Sequence, residues 1–166
     1  MRWLIQELEQ EHLEQIMQIE KASFPTPWTE GMFLSELTSP RSYHFVATRE
    51  GGQKAVVLCY IFFWIFMEEV HILNLATHPN FRKLGIASSL LLFVLDFAYR
   101  KGGIIYLLEV REGNRAAVSL YQKMGFSAWG IRKKYYTDTG EDGILMGLIY
   151  ADRLYVTKND KQSHLP

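Results

Sequence analysis

Apolar and polar positions along the chain fall into segments of two different periods. Leu8, Leu13, Ile16, Met17 and Ile19, separated mainly by Glu and Gln, repeat at helical spacing and predict an amphipathic helix over about 9–21. It stops before Phe24-Pro25-Thr26-Pro27, where two prolines disfavour helix. Thr29 is a good cap for a second helix over 30–37, which ends before Pro40. Residues 43–48 read as a strand, Glu50-Gly51-Gly52 as a turn, and 55–67 as a strand of thirteen consecutive apolar residues. A third strand over 70–77 closes at His78-Pro79-Asn80.

From Gly85 the period returns to helical. Ala87, Leu90, Leu91, Val94, Leu95 and Ala98 share one face, and Gly102-Gly103 supplies the stop. A strand over 104–110 precedes Asn114, a favourable N-cap for a helix running to about 124, with Gly125 as its left-handed terminator. Two antiparallel strands, 126–136 and 144–150, flank the Asp138-Thr139-Gly140 turn. The order is two helices, three strands, helix, strand, helix and two strands. That order predicts a mixed α/β sheet covered by helices, because strands this apolar must be buried on both faces. Residues 1–150 form the expected domain, and 151–166 lose periodicity and read as a polar tail.

Composition narrows the class. At 166 residues, 48% hydrophobic and 22% charged, the chain has ample material for a single core. Eighteen Lys and Arg balance eighteen Asp and Glu, so the basic surplus of a nucleic-acid-binding surface is missing and no nucleic-acid partner is expected. The thirteen-residue run is too short for a membrane span of about twenty residues and is rich in β-branched and aromatic types. Glu7, Glu9 and Glu11 do not suit a signal peptide. The single cysteine, Cys59, cannot form an internal disulfide and sits in an apolar strand without the surroundings of a nucleophile. The expectation is a cytoplasmic protein with no membrane partner.

Two stretches carry chemistry. In the first, a strand ends at Asn74-Leu75-Ala76-Thr77-His78-Pro79, and a helix begins inside Arg82-x-x-Gly85-x-Ala87. The first turn of a helix has backbone N–H groups without intrahelical partners and a positive dipole end, and small residues let a diphosphate approach them. Arg82 and Lys83 add charge beside it. There is no Gly-Lys-Ser/Thr or Gly-x-Gly-x-x-Gly fingerprint, and a plain strand-to-helix connection remains the blander alternative. In the second stretch, Glu109 lies near the end of an otherwise apolar strand, at a solvent rim or in a cleft suited to a base. Tyr121 lies on the sheet-facing side of the next helix, where core packing is its blander role. His71 and His78 lack a ligand pattern, and no metal is expected. Arg132-Lys133-Lys134 is either a solvated run or, with Tyr135 and Tyr136, a substrate lip. Phe24 and Trp28 are candidates for the same acceptor slot or hydrophobic staples for the helices they flank.

Together these stretches resemble the GNAT superfamily of acetyl-CoA-dependent N-acetyltransferases. Arg82-x-x-Gly85-x-Ala87 matches its pyrophosphate motif, and Asn114-x-x-Ala117-x-x-Leu120-Tyr121-x-x-x-Gly125-Phe126 matches its downstream signature. Within it, Phe24-Pro-x-Pro-Trp28, Asn74-Leu-Ala-Thr-His-Pro79, Leu108-Glu-Val-Arg111 and Arg132-Lys-Lys-Tyr-Tyr136 resemble the ribosomal-protein-alanine N-acetyltransferase (RimI-like) branch, over roughly residues 1–150. Thr77 stands where valine is more usual, and the Phe-Pro-Thr-Pro-Trp loop is one residue longer than the commoner spacing. The resemblance implies a GNAT-like α/β domain whose mixed, mostly antiparallel sheet has a central splayed parallel pair. It implies acetyl-CoA contacts at Leu75, Ala76, Thr77, Arg82, Lys83, Leu84, Gly85, Ile86, Ala87 and Asn114, with Glu109 as general base and Tyr121 as general acid. It implies direct acetyl transfer to an amine, foremost the α-amine of a protein N-terminus such as that of a ribosomal protein. A small amine or lysine acceptor is the alternative within the class, and a non-catalytic CoA-binding module the alternative outside it. The oligomeric state is left open.

Overall fold

The computed structural model describes residues 1–51 and 54–150, so the tail expected over 151–166 lies outside the described residues. The elements are β1 (Leu4–Glu7), α1 (Leu13–Lys21), α2 (Glu30–Thr38), β2 (Ser42–Arg49), β3 (Val56–Phe66), β4 (Glu69–Thr77), α3 (Ile86–Arg100), β5 (Ile105–Arg111), α4 (Arg115–Lys123), β6 (Ser127–Tyr136) and β7 (Glu141–Ile149). The sheet is mixed, in the order β1-β2-β3-β4-β5-β7-β6, with β4 and β5 its parallel pair. Among the described residues no helix is long and apolar enough to cross a membrane. Two compact units are distinguished, one of residues 1–65 and 72–94, the other of 66–71 and 95 onward.

In the first unit, β2 and β3 pair antiparallel with Phe45 opposite Ile61. Leu13, Ile16 and Ile19 of α1 and Phe33 of α2 close over Val46, Val57, Tyr60, Phe62 and Ala76. On α3, Phe93 meets Phe45 edge-on, with ring centroids 4.9 Å apart. Every residue of β3 from Val57 to Phe63 is buried, which is why its sequence is a continuous apolar run rather than an alternation. Thr29 caps α2 by accepting a hydrogen bond from the Met32 amide at 3.3 Å.

One strand is absent from the sequence reading. Residues 4–7 form β1, paired antiparallel with β2 so that Ile5 lies opposite Ala47, and helix α1 begins only at Leu13 after a 3-10 turn over Gln10–His12. The strand is only four residues long, at the edge of the sheet, and Leu4-Ile5 shows no alternation. Its existence comes from the free edge of β2, not from its own pattern. Leu8, counted in the helical pattern just ahead of the expected helix, instead extends this pairing through its amide to the His44 carbonyl at 3.1 Å.

The second unit is built on β5, β7 and β6. Tyr106, Leu108 and Val110 of β5 are buried, and Leu107, Glu109 and Arg111 lie half-buried on the opposite face. The Tyr106 hydroxyl donates to the Leu95 carbonyl at 2.7 Å, and Tyr150 hydrogen-bonds Asp96, closing the last turns of α3 over the core. Glu109 lies opposite Leu145, and Arg111 opposite Gly143. Between Arg132 and Tyr136 the β6–β7 register shifts, and Lys134 adopts a positive φ of 50°. This bulge re-aims the end of β6.

Candidate active site

In the first unit β4 alternates cleanly. Asn74 and Ala76 are buried, and Leu75 and Thr77 are half-buried on the opposite face. The chain then makes a 3-10 turn over Pro79–Phe81, passes through two left-handed residues, Lys83 (φ 61°) and Gly85 (φ 80°), and enters α3 at Ile86. A Cβ added at Gly85 would meet nothing within 4 Å, so the backbone at the helix entrance borders open space. A positive φ and an open approach to helical N–H groups suit a pyrophosphate, so acetyl-CoA fits this cradle. Arg82 through Gly85 are exposed. Arg82 is partly committed elsewhere: its Nε donates to the Thr77 carbonyl at 3.2 Å and its Nη2 to Ser23 Oγ at 3.0 Å. Cys59, buried in mid-strand, receives a hydrogen bond from the Thr77 hydroxyl, and burial pushes its thiol up to about 12, which disqualifies it as a nucleophile.

The structure decides what the Trp28 ring does. Trp28 immediately precedes the Thr29 cap and packs on Phe33 with centroids 5.3 Å apart, the arrangement of a hydrophobic staple, and it also lies 5.8 Å from Phe62. Phe24 is partly buried against the same core. These two aromatics shape the α1–α2 loop from beneath.

In the second unit Glu109 is less isolated than its strand suggests. Its carboxylate pairs with the Arg132 guanidinium at 2.9 Å and accepts a hydrogen bond from Tyr135, which raises the Tyr135 pKa. Arg132 also lies over the Tyr135 ring at 5.3 Å. In an unbroken strand Tyr135 and Tyr136 would face opposite ways; the bulge at Lys134 brings both rings toward Glu109, 5.1 Å apart. Asp142 anchors that bulge by accepting from the Lys134 amide at 2.8 Å and from Lys133 Nζ at 2.6 Å. Tyr136 stacks on Arg111 at 4.0 Å, and burial pushes its hydroxyl up to about 12. Arg111 is gripped by Asp138 at 2.6 and 2.8 Å and by Thr139 at 2.9 Å.

Asn114 caps α4, its side-chain oxygen accepting from the Ala117 amide at 3.2 Å, which leaves the amide nitrogen as the group a ligand could take. Tyr121 is buried on α4 with its ring edge-on to Phe126 at 5.7 Å. His71 pairs with Glu69 at 2.8 Å, and His78 caps its own turn. Among the described residues no cluster of three or more His, Cys, Asp or Glu could hold a metal ion.

The comparisons with known proteins decide the family. The acetyltransferase (GNAT) family model matches residues 13–126. The chain belongs to the GNAT family. It is 35% identical over 136 residues to the putative ribosomal protein bS18-alanine N-acetyltransferase of Bacillus subtilis, covering 82% of this chain and 88% of that protein. To the N-alpha-acetyltransferase RimI of Mycobacterium tuberculosis it is 37% identical, over 72% of this chain and 74% of the relative. The crystal structure of the ribosomal-protein-S18-alanine N-acetyltransferase from Escherichia coli superposes with a TM-score of 0.80 at 31% identity, covering 89% of this chain and 94% of the other. The GNAT chain is therefore an acetyl-CoA-dependent N-acetyltransferase.

Three features of this GNAT enzyme escaped the sequence reading. Arg132 pairs with Glu109. Trp129 lies across Gly147 so closely that a Cβ there would come within 2.3 Å of its ring atoms. Glu20 is buried at 1% exposure. The one signal available for Glu20 was its position, four residues after Ile16 and seven after Leu13, where a charge interrupts the apolar stripe of α1.

Proposed function

We propose that the enzyme acetylates the N-terminal α-amine of a protein, an alanine-starting ribosomal protein being the first acceptor to test. The observation that carries this reading is the setting of Glu109: a half-buried carboxylate between a guanidinium and a phenol, walled by Tyr135 and Tyr136. Such a base suits an amine that is already partly neutral. An α-amine of pKa about 8 is roughly 10% neutral at pH 7, whereas a lysine near 10.4 is below about 0.1%. The names of the relatives from Bacillus subtilis and Escherichia coli supply the ribosomal acceptor.

In this reading Glu109 accepts the proton of the attacking amine, directly or through one water, and Tyr121 gives a proton to the departing sulfur. Bound acetyl-CoA supplies the thioester. Gly85 and the first turn of α3 hold its pyrophosphate, with Arg82, Lys83, Leu84, Ile86 and Ala87 around that turn and Asn114 contributing its amide nitrogen. The backbone of Leu75–Thr77 orients the thioester carbonyl. Tyr135 and Tyr136 wall the acceptor beside Glu109, and Phe24 and Trp28 set the shape of the acceptor-side loop.

The test is a peptide panel with acetyl-CoA, comparing free N-termini, N-terminally blocked peptides bearing lysine, and small polyamines. The expected result is acetylation at free N-termini, strongest for alanine. Equal or better turnover of blocked lysine peptides or polyamines would refute the assignment.

A further inference from the structure

A buried carboxylate without a cation needs hydrogen-bond donors on every side it presents. Among the described residues Glu20, the penultimate residue of α1, has three. Its Oε1 accepts the Trp28 amide at 2.8 Å. Its Oε2 accepts from Asn74 Nδ2 at 3.1 Å and from the Tyr60 hydroxyl, which turns also toward Asn74 Oδ1 at 3.4 Å. Tyr60 is wholly buried, and burial together with the Glu20 charge drives its pKa far above the phenol range. The three donors come from three places: the end of the α1–α2 loop, the middle of β3, and the residue of β4 immediately before Leu75.

We propose that Glu20 is the positioning residue of the acceptor-side loop, its carboxylate holding Trp28 in register with the strand that carries Leu75–Thr77. The proposal rests on the assignment of that loop to the acceptor. The backbone supports it from the other end. The Glu20 carbonyl takes the amides of Ser23 and Phe24 at 3.0 Å each, and the Ser23 hydroxyl is held by Arg82, whose Nε also grips the Thr77 carbonyl. The loop from 23 to 28 is thus tied at both ends to groups that touch β4 or the turn after it. A core role alone would be served better by a leucine at this position, since a buried carboxylate offers no packing advantage over an apolar side chain of similar size.

The test uses Glu20→Gln, which keeps volume but directs an NH₂ at donors, and Glu20→Asp, which withdraws the oxygens by one methylene. Amide hydrogen exchange on the full chain reads the loop directly. Wild-type Trp28 N–H is expected to exchange slowly, with the amides of Ile16 and Ile19. In Glu20→Gln it is expected to exchange at least about 100-fold faster while Ile16 and Ile19 keep their protection. Steady-state kinetics with an alanine-starting peptide are expected to show a rise in peptide KM of about tenfold with the KM for acetyl-CoA and kcat changed less than about threefold. A variant that loses stability and total activity with an unchanged peptide KM would reduce Glu20 to a structural residue and overturn the proposal. Should neither variant fold, the wild-type exchange decides alone, because a Trp28 amide exchanging at the open-chain rate removes the tie. Wild-type inactivity on peptides with a slow Trp28 amide would instead overturn the acceptor assignment and leave the tie standing.

Discussion

Arg111→Lys separates the lip of the proposed acceptor site from its chemistry. Arg111 makes a two-pronged contact with Asp138, a third hydrogen bond to Thr139 and a stack on Tyr136 at 4.0 Å, with its side chain 15% exposed. Lysine keeps the charge and loses the fork and the flat face. A hydrogen bond to a charged group is worth about 1.5–3 kcal/mol and a cation–π contact about 0.5–1 kcal/mol, both reduced where the partners are partly exposed, as Asp138 is at 27% and Glu141, ion-paired with Arg111 at 3.5 Å, is at 33%. One charged contact survives in the variant, so the expected net loss is about 1–2 kcal/mol. For a chain of this size that is a fall in Tm of about 3–6 °C. Because the stack holds Tyr136 beside Glu109, the KM for an N-terminal peptide is expected to rise about five- to tenfold while kcat and the KM for acetyl-CoA stay within about twofold. Thermal unfolding followed by circular dichroism and initial-rate kinetics at saturating acetyl-CoA give both numbers. A lowered Tm with an unchanged peptide KM would show that Arg111 braces the β6–β7 hairpin without serving the acceptor.

Tyr121→Phe keeps the ring against Phe126 and removes the proton, so kcat is expected to fall about 10²- to 10⁴-fold with CoA affinity nearly unchanged by calorimetry; wild-type kcat would end the acid role. Glu109→Gln should cost less on an α-amine than on a lysine and should recover partly between pH 7 and 9.5 as solvent deprotonates the substrate, whereas a defect that persists at high pH would make Glu109 a positioning group. The buried Cys59 thiol should resist a thiol reagent at pH 8 in the folded chain and react fully on unfolding; rapid native labelling would contradict its burial. The same group gives a stability slope of fixed sign. Its folded pKa of about 12 lies above its unfolded value, so its contribution is complete below about pH 8.5 and is lost as pH rises toward 12, which a Cys59→Ala variant should show as a shallower decline in urea midpoint.

Most elements were legible because their periods are strong and their ends are punctuated. Thr29, Gly102, Asn114 and Gly125 stop or start helices where the sequence places them, the last with a φ of 93°. What escaped was what only a neighbour can confer. Strand β1 has four residues and no alternation, and exists because β2 offers it an edge. The β6 bulge is equally invisible: nothing in Arg132-Lys133-Lys134 marks Lys134 for a positive φ, which Asp142 imposes from the facing strand.

The candidate site divides along the same line. Gly85 and Asn114 could be read from the chain because their work is local: one residue adopts a left-handed φ at a helix entrance, the other caps the helix it precedes. The partners of Glu109 could not, because Arg132 and Tyr135 reach it from β6 across the intervening strand β7, Tyr135 by way of a bulge. Trp28 shows a third case. Its ring staples α2 to the core, as one of its two sequence readings had it, and its amide ends on Glu20, a contact that neither reading contained. The stapled ring makes the loop rigid, and the tied amide says where the rigid loop sits. A residue can therefore look purely structural at its side chain while its backbone carries the tie on which the proposed acceptor geometry rests.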